Sequence, residues 1–457
     1  MKRNDIIQIK LNKFKTLNRT VGYYEETPIF VKGGMPGQTA DVIIQRKRNN
    51  VCEANFLKLV SPAWYENEVS CPSYQLCGGC TFLSMPYEMQ KRYKTDYILN
   101  LFRENNIKFQ NFSGFYASPK TMGYRNKMEF SFGNAHKDAP LTLGMHKKDR
   151  FYDIVSAEEC ALIDEDFKTI LRNTVVHCNQ HKYSYYHRGS HKGLLRHLII
   201  RKGEFTNQLM INIIITSQET FDEQSFLNML LNLELDKDIV SVLKTINDSV
   251  SDAIHAEEMS VLYGKDYIQE KCLDKTFYIS PFSFFQTNSS GCEVLYDVVI
   301  NMLRSIQCDT IFDLYCGTGT ITQMVCEHAS KVIGVEIVAD AIKAAKKNAE
   351  LNDIKNCSFI CGDVLDVICN IDEDPDVIIL DPPRAGIHPK ALSKITSFNS
   401  KHILYISCNP TALMKDLKYL TESRYVVSKL AIVDMFPHTS HVETVVLMSR
   451  VKVNTMF

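Results

Sequence analysis

The chain has 457 residues, of which 45% are hydrophobic and 23% are charged, and its formal net charge is -1. This length allows two or three domains with separate cores, and the composition excludes disordered, collagen-like and repeat proteins. The near-zero net charge gives no sign of a polyanionic partner, but such an average can conceal local basic segments.

The sequence predicts neither a membrane span nor export. The apolar run LMINIII at 209–215 is short, and the basic N-terminal residues are not followed by the apolar core of a secretory signal. We therefore expect a soluble cytoplasmic protein without membrane contact. In that compartment its fifteen Cys are expected to be thiols, metal ligands or catalytic groups rather than disulfides.

Residues 1–60 show short β-type runs separated by turns rich in Gly or Asn, which predict a small β-barrel. They contain eleven Lys or Arg against five Asp or Glu. Small barrels with a basic face often bind oligonucleotides, so this region is a candidate RNA-binding domain. A solvated basic surface is the alternative interpretation.

The pattern of residues 61–275 is mixed and predicts an α+β central domain. It opens with three thiols within ten residues, Cys71, Cys77 and Cys80, which is typical of metal ligands. Zinc and an iron–sulfur cluster are both bound by four thiolates, and the spacing alone does not separate them. Three unliganded surface thiols are the remaining alternative.

A second basic segment, HKYSYYHRGSHKGLLRHLIIRKG at 181–203, contains six Lys or Arg, four His, three Tyr and no acid. Positive charge interleaved with aromatic rings suits a partner that presents both phosphates and base faces. We therefore predict an RNA-binding surface here. A solvated surface without a partner is again the alternative.

From residue 276 the sequence alternates apolar strands with amphipathic helices, as in TIFDLYCGTG, ADAIKAAKKNAELN and DVIILDPP. This alternation predicts βαβ units and a Rossmann-like α/β domain over 276–457. Ligands of such parallel sheets bind at the carboxyl ends of the strands, and the candidate functional residues of this half fall at those ends.

The first predicted strand end is followed by a Gly-x-Gly turn, Gly317 to Gly319, which lets a ligand approach the backbone. The turn lacks the third Gly of the dinucleotide fingerprint and the Lys of a P-loop. Glu336 ends the next strand, where a carboxylate can accept both hydroxyls of a ribose. Asp363 and Asp381 end two further strands. Each acid alone is better explained as a helix cap, but together they favour S-adenosylmethionine, which carries ribose hydroxyls and an ammonium group.

Cys408 follows the apolar run HILYIS and is therefore predicted at the same edge. Most of the other Cys are better explained as small buried hydrophobes. The Asn-Pro after Cys408 forces a turn that can present a thiolate to a ligand. Glu443 is a candidate general base, with a simple edge charge as the alternative. His438 and His441 are ranked lower, as supporting residues.

One reaction needs a methyl donor, a thiol and a carboxylate together. Carbon 5 of a uracil becomes nucleophilic when a thiolate adds to carbon 6. The methylated adduct keeps a proton on carbon 5, which a base must remove before the thiolate can leave. The sequence therefore predicts Cys408 as the nucleophile and Glu443 as the base of a uracil methyltransferase.

The motifs of the chain resemble, in the same order, those of the bacterial RNA uracil-5-methyltransferases: SPFSFFQTN, DLYCGTGT, GVE, LDPPRAG, YISCNPTAL and FPHTSHVE. The likeness is close over the C-terminal half and weaker before it, where residues 1–60 resemble an RNA-binding TRAM barrel of the OB type. The resemblance implies an S-adenosylmethionine-dependent methyltransferase domain and RNA as the partner.

The resemblance also implies roles for single residues. Cys408 and Glu443 match the nucleophile and the base. Phe284 matches an aromatic residue near the target base, although its own sequence context would place it in the core. Thr320 stands where relatives often carry Asn and is given no role. The positions that match cofactor contacts are Gln286, Tyr315, Glu336, Asp363 and Asp381.

The cysteine spacing resembles that of family members specific for 23S ribosomal RNA, which hold a 4Fe–4S cluster. Cys160 matches their fourth ligand, so the resemblance implies a cluster bound by Cys71, Cys77, Cys80 and Cys160. The tRNA-directed relatives resemble the chain less, because they lack the cluster cysteines and the barrel. We expect the cluster to support the fold or RNA binding, because methyl transfer involves no net electron flow.

We therefore expect an S-adenosylmethionine-dependent 23S rRNA (uracil-5-)-methyltransferase. The alternatives are a tRNA uracil methyltransferase, a non-catalytic RNA-binding or assembly factor, and an iron–sulfur oxidoreductase. Cys408 and Glu443 argue against the assembly factor, and the missing dinucleotide fingerprint argues against the oxidoreductase. No segment marks a self-association face, so we expect a monomer without a protein partner.

Overall fold

Five N-terminal strands form a closed barrel in the computed structural model, which describes residues 1–48, 51–148, 150, 152–251, 256–371 and 373–451. The strands are β1 (Ile6–Thr16), β2 (Arg19–Tyr24), β3 (Thr27–Lys32), β4 (Thr39–Arg48) and β5 (Val51–Ser61). Alternate apolar residues such as Ile9, Leu11 and Val42 fill the barrel. The small barrel predicted for the N-terminus is confirmed.

The turn between β1 and β2 attaches the barrel to the rest of the protein. Leu17, in this turn, is buried in the same apolar core as Tyr405 of the C-terminal domain. Phe14 packs edge-on against Phe82 and Tyr93, with ring centroids 5.5 and 5.0 Å away. Apolar burial of this kind stabilises an interface.

Helix α1 (Tyr87–Glu104) and strand β6 (Phe109–Tyr116) follow the barrel and pack with the C-terminal half of the chain. A seven-stranded sheet comes next. Its strands are β7 (Lys127–Gly133), β8 (Thr142–His146), β9 (Ile154–Ser156), β10 (Leu195–Gly203), β11 (Gln208–Ile215), β12 (Asp238–Ile246) and β13 (Glu258–Gly264). They are ordered β13-β12-β11-β10-β7-β8-β9. Helices α2 (Glu165–Gln180) and α3 (Glu223–Leu231) pack against the sheet through residues such as Phe167 and Phe226.

A hairpin, β14 (Ile268–Cys272) and β15 (Lys275–Ile279), leads into the C-terminal domain. The strands of that domain are β16 (Thr310–Leu314), β17 (Lys331–Glu336), β18 (Cys357–Cys361), β19 (Val377–Leu380), β20 (His402–Ser407), β21 (Tyr425–Val433) and β22 (Glu443–Arg450). The helices are α4 (Ser289–Leu303), α5 (Thr320–Met324), α6 (Ala339–Leu351), α7 (Val364–Val367), α8 (Pro389–Ser397) and α9 (Pro410–Glu422), with a 3₁₀ turn at Cys326–His328.

These strands and β6 form one eight-stranded sheet, ordered β18-β17-β16-β19-β20-β22-β21-β6. Strands β16 to β20 are parallel, and the strand order reverses at β16, which opens a ligand crevice at the carboxyl edge. Strand β22 is antiparallel to β20, so it begins at the edge where β20 ends. The predicted α/β fold of this half is confirmed.

The predicted domain limits at 60/61 and 275/276 stay a prediction. Helix α1 and strand β6 precede residue 275 in the chain, but they pack with the C-terminal domain, and β6 is a strand of its sheet. Strand β6 pairs in parallel with β21, with Tyr116 opposite Val433. This pairing joins strands more than 300 residues apart, which local sequence patterns do not report. Among the described residues, no helix is both long and apolar enough to span a bilayer.

Candidate active site

Cys408 lies in the short turn between β20 and α9. Asn409 caps α9 by accepting a hydrogen bond from the N–H of Thr411 at 3.2 Å, and Pro410 occupies the first helical position. The Asn409 amide also donates to the carbonyl of Arg384 at 2.8 Å, which ties the turn to the loop after β19. The thiol is therefore held, half-buried, at the carboxyl edge of the sheet.

Glu443 begins β22 directly opposite Cys408. Ser407 pairs with Thr444 in the antiparallel ladder of β20 and β22, so the next step of this register brings Cys408 and Glu443 together. The Glu443 side chain is buried. Burial, followed by the charge of Asp381, raises the pKa of Glu443 to about 8. This carboxylate is therefore a much stronger base than an exposed one.

The Cys408 thiol is in its protonated form in the free protein. Burial, followed by the charges of Glu443 and Asp381, raises the pKa of Cys408 to about 11. The positive charge of the Arg384 guanidinium acts in the opposite direction, because it lowers the pKa of Cys408 and the pKa of Glu443. Sequence reasoning gave Arg384 no role, although it stands in the quoted motif LDPPRAG.

The cleft above Cys408 has a volume of about 270 Å³ and is lined by three separate parts of the chain. The barrel contributes its β1–β2 turn, Thr16 to Asn18, and α1 contributes Tyr97. The Tyr97 hydroxyl lies 3.4 Å from the hydroxyl of Thr411 on α9. The N-terminal barrel therefore forms part of the wall of this Cys408 cleft, which the sequence did not predict.

Two further acids, Asp381 and Asp313, lie at the carboxyl ends of β19 and β16. Burial, followed by the charge of Asp313, raises the pKa of Asp381 to about 7. Asp313 is fully buried at the end of β16 and accepts a hydrogen bond from the Thr322 hydroxyl at 2.6 Å. Its pKa is also raised to about 7, first by burial. The site thus concentrates carboxyl groups that favour cationic ligands.

The turn after β16 contains the two glycines of the Gly-x-Gly motif. Gly319 has φ 73°, and a Cβ there would lie 2.6 Å from Phe359, so only glycine fits. Gly317 has φ 54°, and a Cβ there would meet no atom within 4 Å. Its N–H donates to the Glu336 carboxylate at 3.2 Å, and the N–H of Val338 donates to the other oxygen at 3.0 Å. Two backbone groups therefore orient Glu336 beside the open side of the turn.

Asp363 begins α7 and accepts a hydrogen bond from the N–H of Leu365 at 2.8 Å. One oxygen of Asp363 therefore caps α7, as the alternative interpretation expected. Asp363 also lies near the Tyr315 phenol, since burial, followed by the charge of Asp363, raises the pKa of Tyr315 to about 12. Tyr315 has φ 70°, a left-handed conformation that turns the chain from β16 into the glycine turn.

Phe284 and Gln286 lie in the loop before α4, which contacts the same turn. The Thr318 hydroxyl donates to the Phe284 carbonyl at 3.3 Å, and the Asn126 amide donates to the Gln286 carbonyl at 2.9 Å. The Phe284 side chain is 66% exposed. Its sequence context alone would have placed this ring in the core, and that placement is wrong.

The sequence matches the family described as tRNA (Uracil-5-)-methyltransferase over residues 211–363 and 365–451. An uncharacterized RNA methyltransferase of Clostridium tetani is 41% identical over 98% of this chain and 99% of the relative. The chain belongs to this methyltransferase family. A second RNA methyltransferase, from Bacteroides thetaiotaomicron, is 36% identical over 94% of this chain and 98% of the relative.

The methyltransferase is also similar to a solved structure, the Pyrococcus abyssi tRNA (uracil-54, C5)-methyltransferase in complex with S-adenosyl-L-homocysteine. The TM-score is 0.75 at 25% identity, and the match covers 97% of this chain and 100% of that one. The resemblance to the RNA uracil-5-methyltransferases is confirmed. Because the match covers 97% of this chain, the expectation that tRNA-directed relatives lack the barrel does not hold for this Pyrococcus abyssi enzyme.

The four predicted cluster ligands of the methyltransferase line one cavity of about 100 Å³: Cys71, Cys77, Cys80 and Cys160. Burial raises the pKa of Cys77, Cys80 and Cys160, and the neighbouring thiols raise each of them further. Within the described ranges, no three His, Cys, Asp or Glu side chains are arranged to hold a metal ion. The structure therefore brings the four thiols to one cavity, while the described residues form no site for a single metal ion.

The loop before Glu443 is anchored to α1 by buried polar contacts. Lys94 forms a fully buried ion pair with Asp434 at 2.8 Å. The Gln90 amide oxygen accepts the N–H of His438 at 2.9 Å, which makes His438 a supporting residue. His441 lines the Cys408 cleft, and burial lowers its pKa to about 4, so its ring is neutral at physiological pH.

The C-terminal part of the basic segment at 181–203 is structural in the methyltransferase, while residues 181–192 are mostly exposed or half-buried. Every residue of β10 is buried. The Arg196 guanidinium donates to the carbonyls of Asn247 and Ser249 at 2.7 and 2.6 Å, and Lys202 pairs with Asp164 at 2.7 Å. The prediction of an RNA-binding surface is therefore wrong for this half of the segment, because these charges satisfy buried acceptors instead.

Proposed function

We propose that the protein methylates carbon 5 of a uridine in RNA, with S-adenosylmethionine as the methyl donor, Cys408 as the nucleophile and Glu443 as the base. The observation that carries this proposal is the position of Cys408 opposite Glu443, one step beyond the last pair of the β20–β22 ladder. Cys408 lines a cleft together with Arg384. The sulfur must bond carbon 6 and the carboxylate must remove the proton from carbon 5, so the two groups act on adjacent atoms of the ring. Facing residues at the end of an antiparallel ladder meet this requirement.

Each of the three residues has one task. The Cys408 thiolate adds to carbon 6, which places negative charge on carbon 5 and its conjugated oxygen. Arg384 favours the thiolate because its positive charge acts to lower the pKa of Cys408. When bound, S-adenosylmethionine supplies an electrophilic methyl group for carbon 5. Glu443 then takes the proton from carbon 5, and the thiolate leaves as the double bond between carbons 5 and 6 reforms.

The donor is proposed to bind at the carboxyl edge, in contact with Gln286, Tyr315, Glu336, Asp363 and Asp381. These residues fit its chemistry, because a sulfonium and an ammonium group favour a site that contains several carboxyl groups. The two oxygens of Glu336 already accept N–H bonds from Gly317 and Val338. Each oxygen retains a lone pair that can accept a ribose hydroxyl.

Phe284 is proposed to contact the target base. An exposed aromatic ring beside a catalytic site is otherwise costly, because it leaves apolar surface in water. A uracil that leaves the base stack loses its stacking interactions with the adjacent bases. An aromatic side chain replaces part of that energy, which is how many RNA-binding proteins hold flipped bases.

The first candidate substrate is 23S ribosomal RNA, and tRNA is the second. The four grouped cysteines favour ribosomal RNA by resemblance. The similarity to a tRNA methyltransferase structure over nearly the whole chain favours tRNA. The barrel does not separate the two candidates.

We also propose that Cys71, Cys77, Cys80 and Cys160 bind a 4Fe–4S cluster. The donor set fits this group, because four thiols line one small cavity among apolar residues. In such a cluster each thiolate binds a different iron, so the sulfurs lie farther apart than the ligands of a single ion. The absence of a single-ion site among the described residues is compatible with that wider spacing.

Nucleoside analysis of cellular RNA tests the proposed function. In cells that lack the protein, we expect 5-methyluridine to disappear from specific positions of 23S ribosomal RNA, and wild-type protein to restore it. Cys408→Ala should not restore it. Loss from tRNA alone would favour the second candidate, and unchanged 5-methyluridine in both RNAs would contradict the proposal.

A further inference from the structure

Residues 283–286 form the Phe284 segment, which lies between the β14–β15 hairpin and α4. Three of the four backbone carbonyls in this segment accept a hydrogen bond from a side chain outside it. The pairs are Arg201 to Ser283, Thr318 to Phe284 at 3.3 Å, and Asn126 to Gln286 at 2.9 Å. The backbone of the segment is therefore held in place although it belongs to no helix or strand.

Two of the three donors come from the central sheet. Arg201 lies on β10 and is almost fully buried, and Asn126 directly precedes β7, which pairs with β10. Phe285, inside the segment, is buried in an apolar core that it shares with Phe277 of the hairpin. These contacts fix the segment on one side, while the Phe284 ring stays exposed on the other.

The third donor, Thr318, is the central residue of the glycine turn after β16. Gly317 and Gly319 on either side of it both have positive φ angles, so the position of the Thr318 hydroxyl depends on the conformation of this turn. The same turn contacts Glu336, whose carboxylate accepts the Gly317 N–H at 3.2 Å. One turn therefore connects the proposed ribose contact, Glu336, with the carbonyl of Phe284.

We propose that Thr318 is a positioning residue through which occupancy of the cofactor site strengthens RNA binding at Phe284. This inference rests on the proposed function, which assigns the cofactor to the glycine turn and the target base to Phe284. A ligand that orders the turn also fixes the Thr318 hydroxyl and the Phe284 carbonyl bonded to it. RNA then binds a segment that is already ordered, so its binding costs less conformational entropy. Because such coupling is reciprocal, RNA should strengthen cofactor binding by the same factor.

RNA binding with and without S-adenosyl-L-homocysteine tests the inference, because this product of the donor occupies the cofactor site but transfers no methyl group. The probe is a fluorescein-labelled ten-nucleotide oligouridylate, measured by fluorescence anisotropy. We expect saturating S-adenosyl-L-homocysteine to tighten binding to the wild-type protein about tenfold. Thr318→Val keeps the shape of the side chain but removes the hydroxyl, so the factor should fall to about twofold or less.

Thr320→Val is the matched control, because it makes the same substitution two residues farther along the chain. The Thr320 side chain is also buried, and its hydroxyl lies 3.4 Å from that of Thr318. The factor of about ten should remain in this variant, since the bond from Thr318 to Phe284 is kept. Phe284→Leu removes the ring but keeps an apolar side chain, and should lower both the RNA affinity and the factor.

Hydrogen exchange supplies a second readout that needs no RNA. Backbone amides of residues 280–288 should exchange more slowly when S-adenosyl-L-homocysteine binds to the wild type or to Thr320→Val, because the turn then orders the segment. They should not respond in Thr318→Val at a saturating concentration, which calorimetry establishes for each variant. Circular dichroism melting shows whether any variant has lost its fold.

Equal factors for Thr318→Val and Thr320→Val would overturn the inference, as would wild-type RNA affinity that does not respond to S-adenosyl-L-homocysteine. A covalent assay separates this result from a failure of the proposed function, because RNA that carries 5-fluorouridine forms a trapped complex with Cys408 if that function holds. Trapping together with equal factors would leave the function intact and refute the coupling. A factor that depends on Thr318, without any trapping, would do the reverse.

Discussion

At the scale of single residues, the site combines a thiol and a carboxyl whose proton affinities are both raised. Burial is the first cause for Cys408 and for Glu443, and the negative charge of Asp381 is a further cause for both. A base with a pKa of about 8 is well matched to removing a proton from carbon near neutral pH. The same burial leaves the thiol dependent on Arg384 for activation.

Glu443→Gln removes the proposed base but keeps the size of the side chain. We expect turnover to fall by about 10²- to 10⁴-fold, because the proton on carbon 5 then has no acceptor. The methylated adduct should accumulate and appear as a slower band on a denaturing gel of protein and RNA. Asp363→Asn removes a more distant carboxyl and should not cause this band. Equal adduct levels in the wild type and Glu443→Gln would contradict the assignment.

The pH dependence of kcat/KM should show the raised pKa values. Activity needs Glu443 ionised and Cys408 as the thiolate, so kcat/KM should rise at least about tenfold per unit of pH between pH 6 and 8. Arg384→Gln removes the charge that acts to lower both pKa values, so its profile should move to higher pH. Arg384→Lys keeps the charge and should move the profile less. An Arg384→Gln profile at the wild-type position would refute this role.

At the scale of elements, the catalytic pair depends on how α1 holds the loop before β22. The Lys94–Asp434 ion pair is fully buried, and the Gln90 amide binds the backbone of His438 in the same loop. Glu443 follows this loop, five residues after His438, and directly precedes Thr444, which pairs with Ser407. A helix from the first quarter of the chain therefore holds the loop that precedes the proposed base.

Lys94→Met should destabilise the protein by about 3–5 kcal/mol, because it leaves Asp434 buried without its cation. Lys91→Met is the matched control on the same helix. It breaks a pair with the exposed Glu88 and should cost about 1 kcal/mol or less. The double variant Lys94→Met/Asp434→Leu should recover most of the loss. Urea unfolding followed by circular dichroism measures all three, and similar midpoints for Lys94→Met and Lys91→Met would contradict the anchoring role.

The sequence predicted the parallel strands and their functional ends well, because apolar runs that end in Gly, Asp or Cys are local signals. Glu336, Asp363, Asp381 and Cys408 all lie at the edge where their patterns placed them. The antiparallel insertion of β22 was not predictable, because pairing with β20 is a long-range event. The exposure of Phe284 was missed for the same reason, since its surroundings are built by distant segments.

At the scale of the whole molecule, the barrel docks against the edge of the sheet that carries Cys408. Leu17 in the β1–β2 turn is buried in the same core as residues of the C-terminal domain, while Asn18 beside it lines the Cys408 cleft. Sequence patterns predicted the barrel as a separate RNA-binding unit. They could not show that it completes the cleft, because docking depends on surfaces from three regions of the chain.

The grouped cysteines predict a measurable iron content. Protein purified without oxygen should contain about four iron and four sulfide per chain and absorb visible light, because four thiolates bind one cluster. Cys80→Ser should lose most of this iron and lower the melting temperature. Cys369→Ser, at an exposed thiol outside the cavity, is the matched control and should lose none. Iron-free wild-type protein with unchanged stability after anaerobic reconstitution would contradict the cluster.

The central claim is that the sulfur of Cys408 bonds carbon 6 of a uracil. The most direct measurement is mass spectrometry of the protein after incubation with S-adenosylmethionine and RNA that contains 5-fluorouridine, because fluorine on carbon 5 cannot leave as a proton. The account predicts a stable adduct mapped to the peptide containing Cys408, and its absence in Cys408→Ala. An adduct on another residue, or methylation of ordinary RNA by Cys408→Ala, would contradict it.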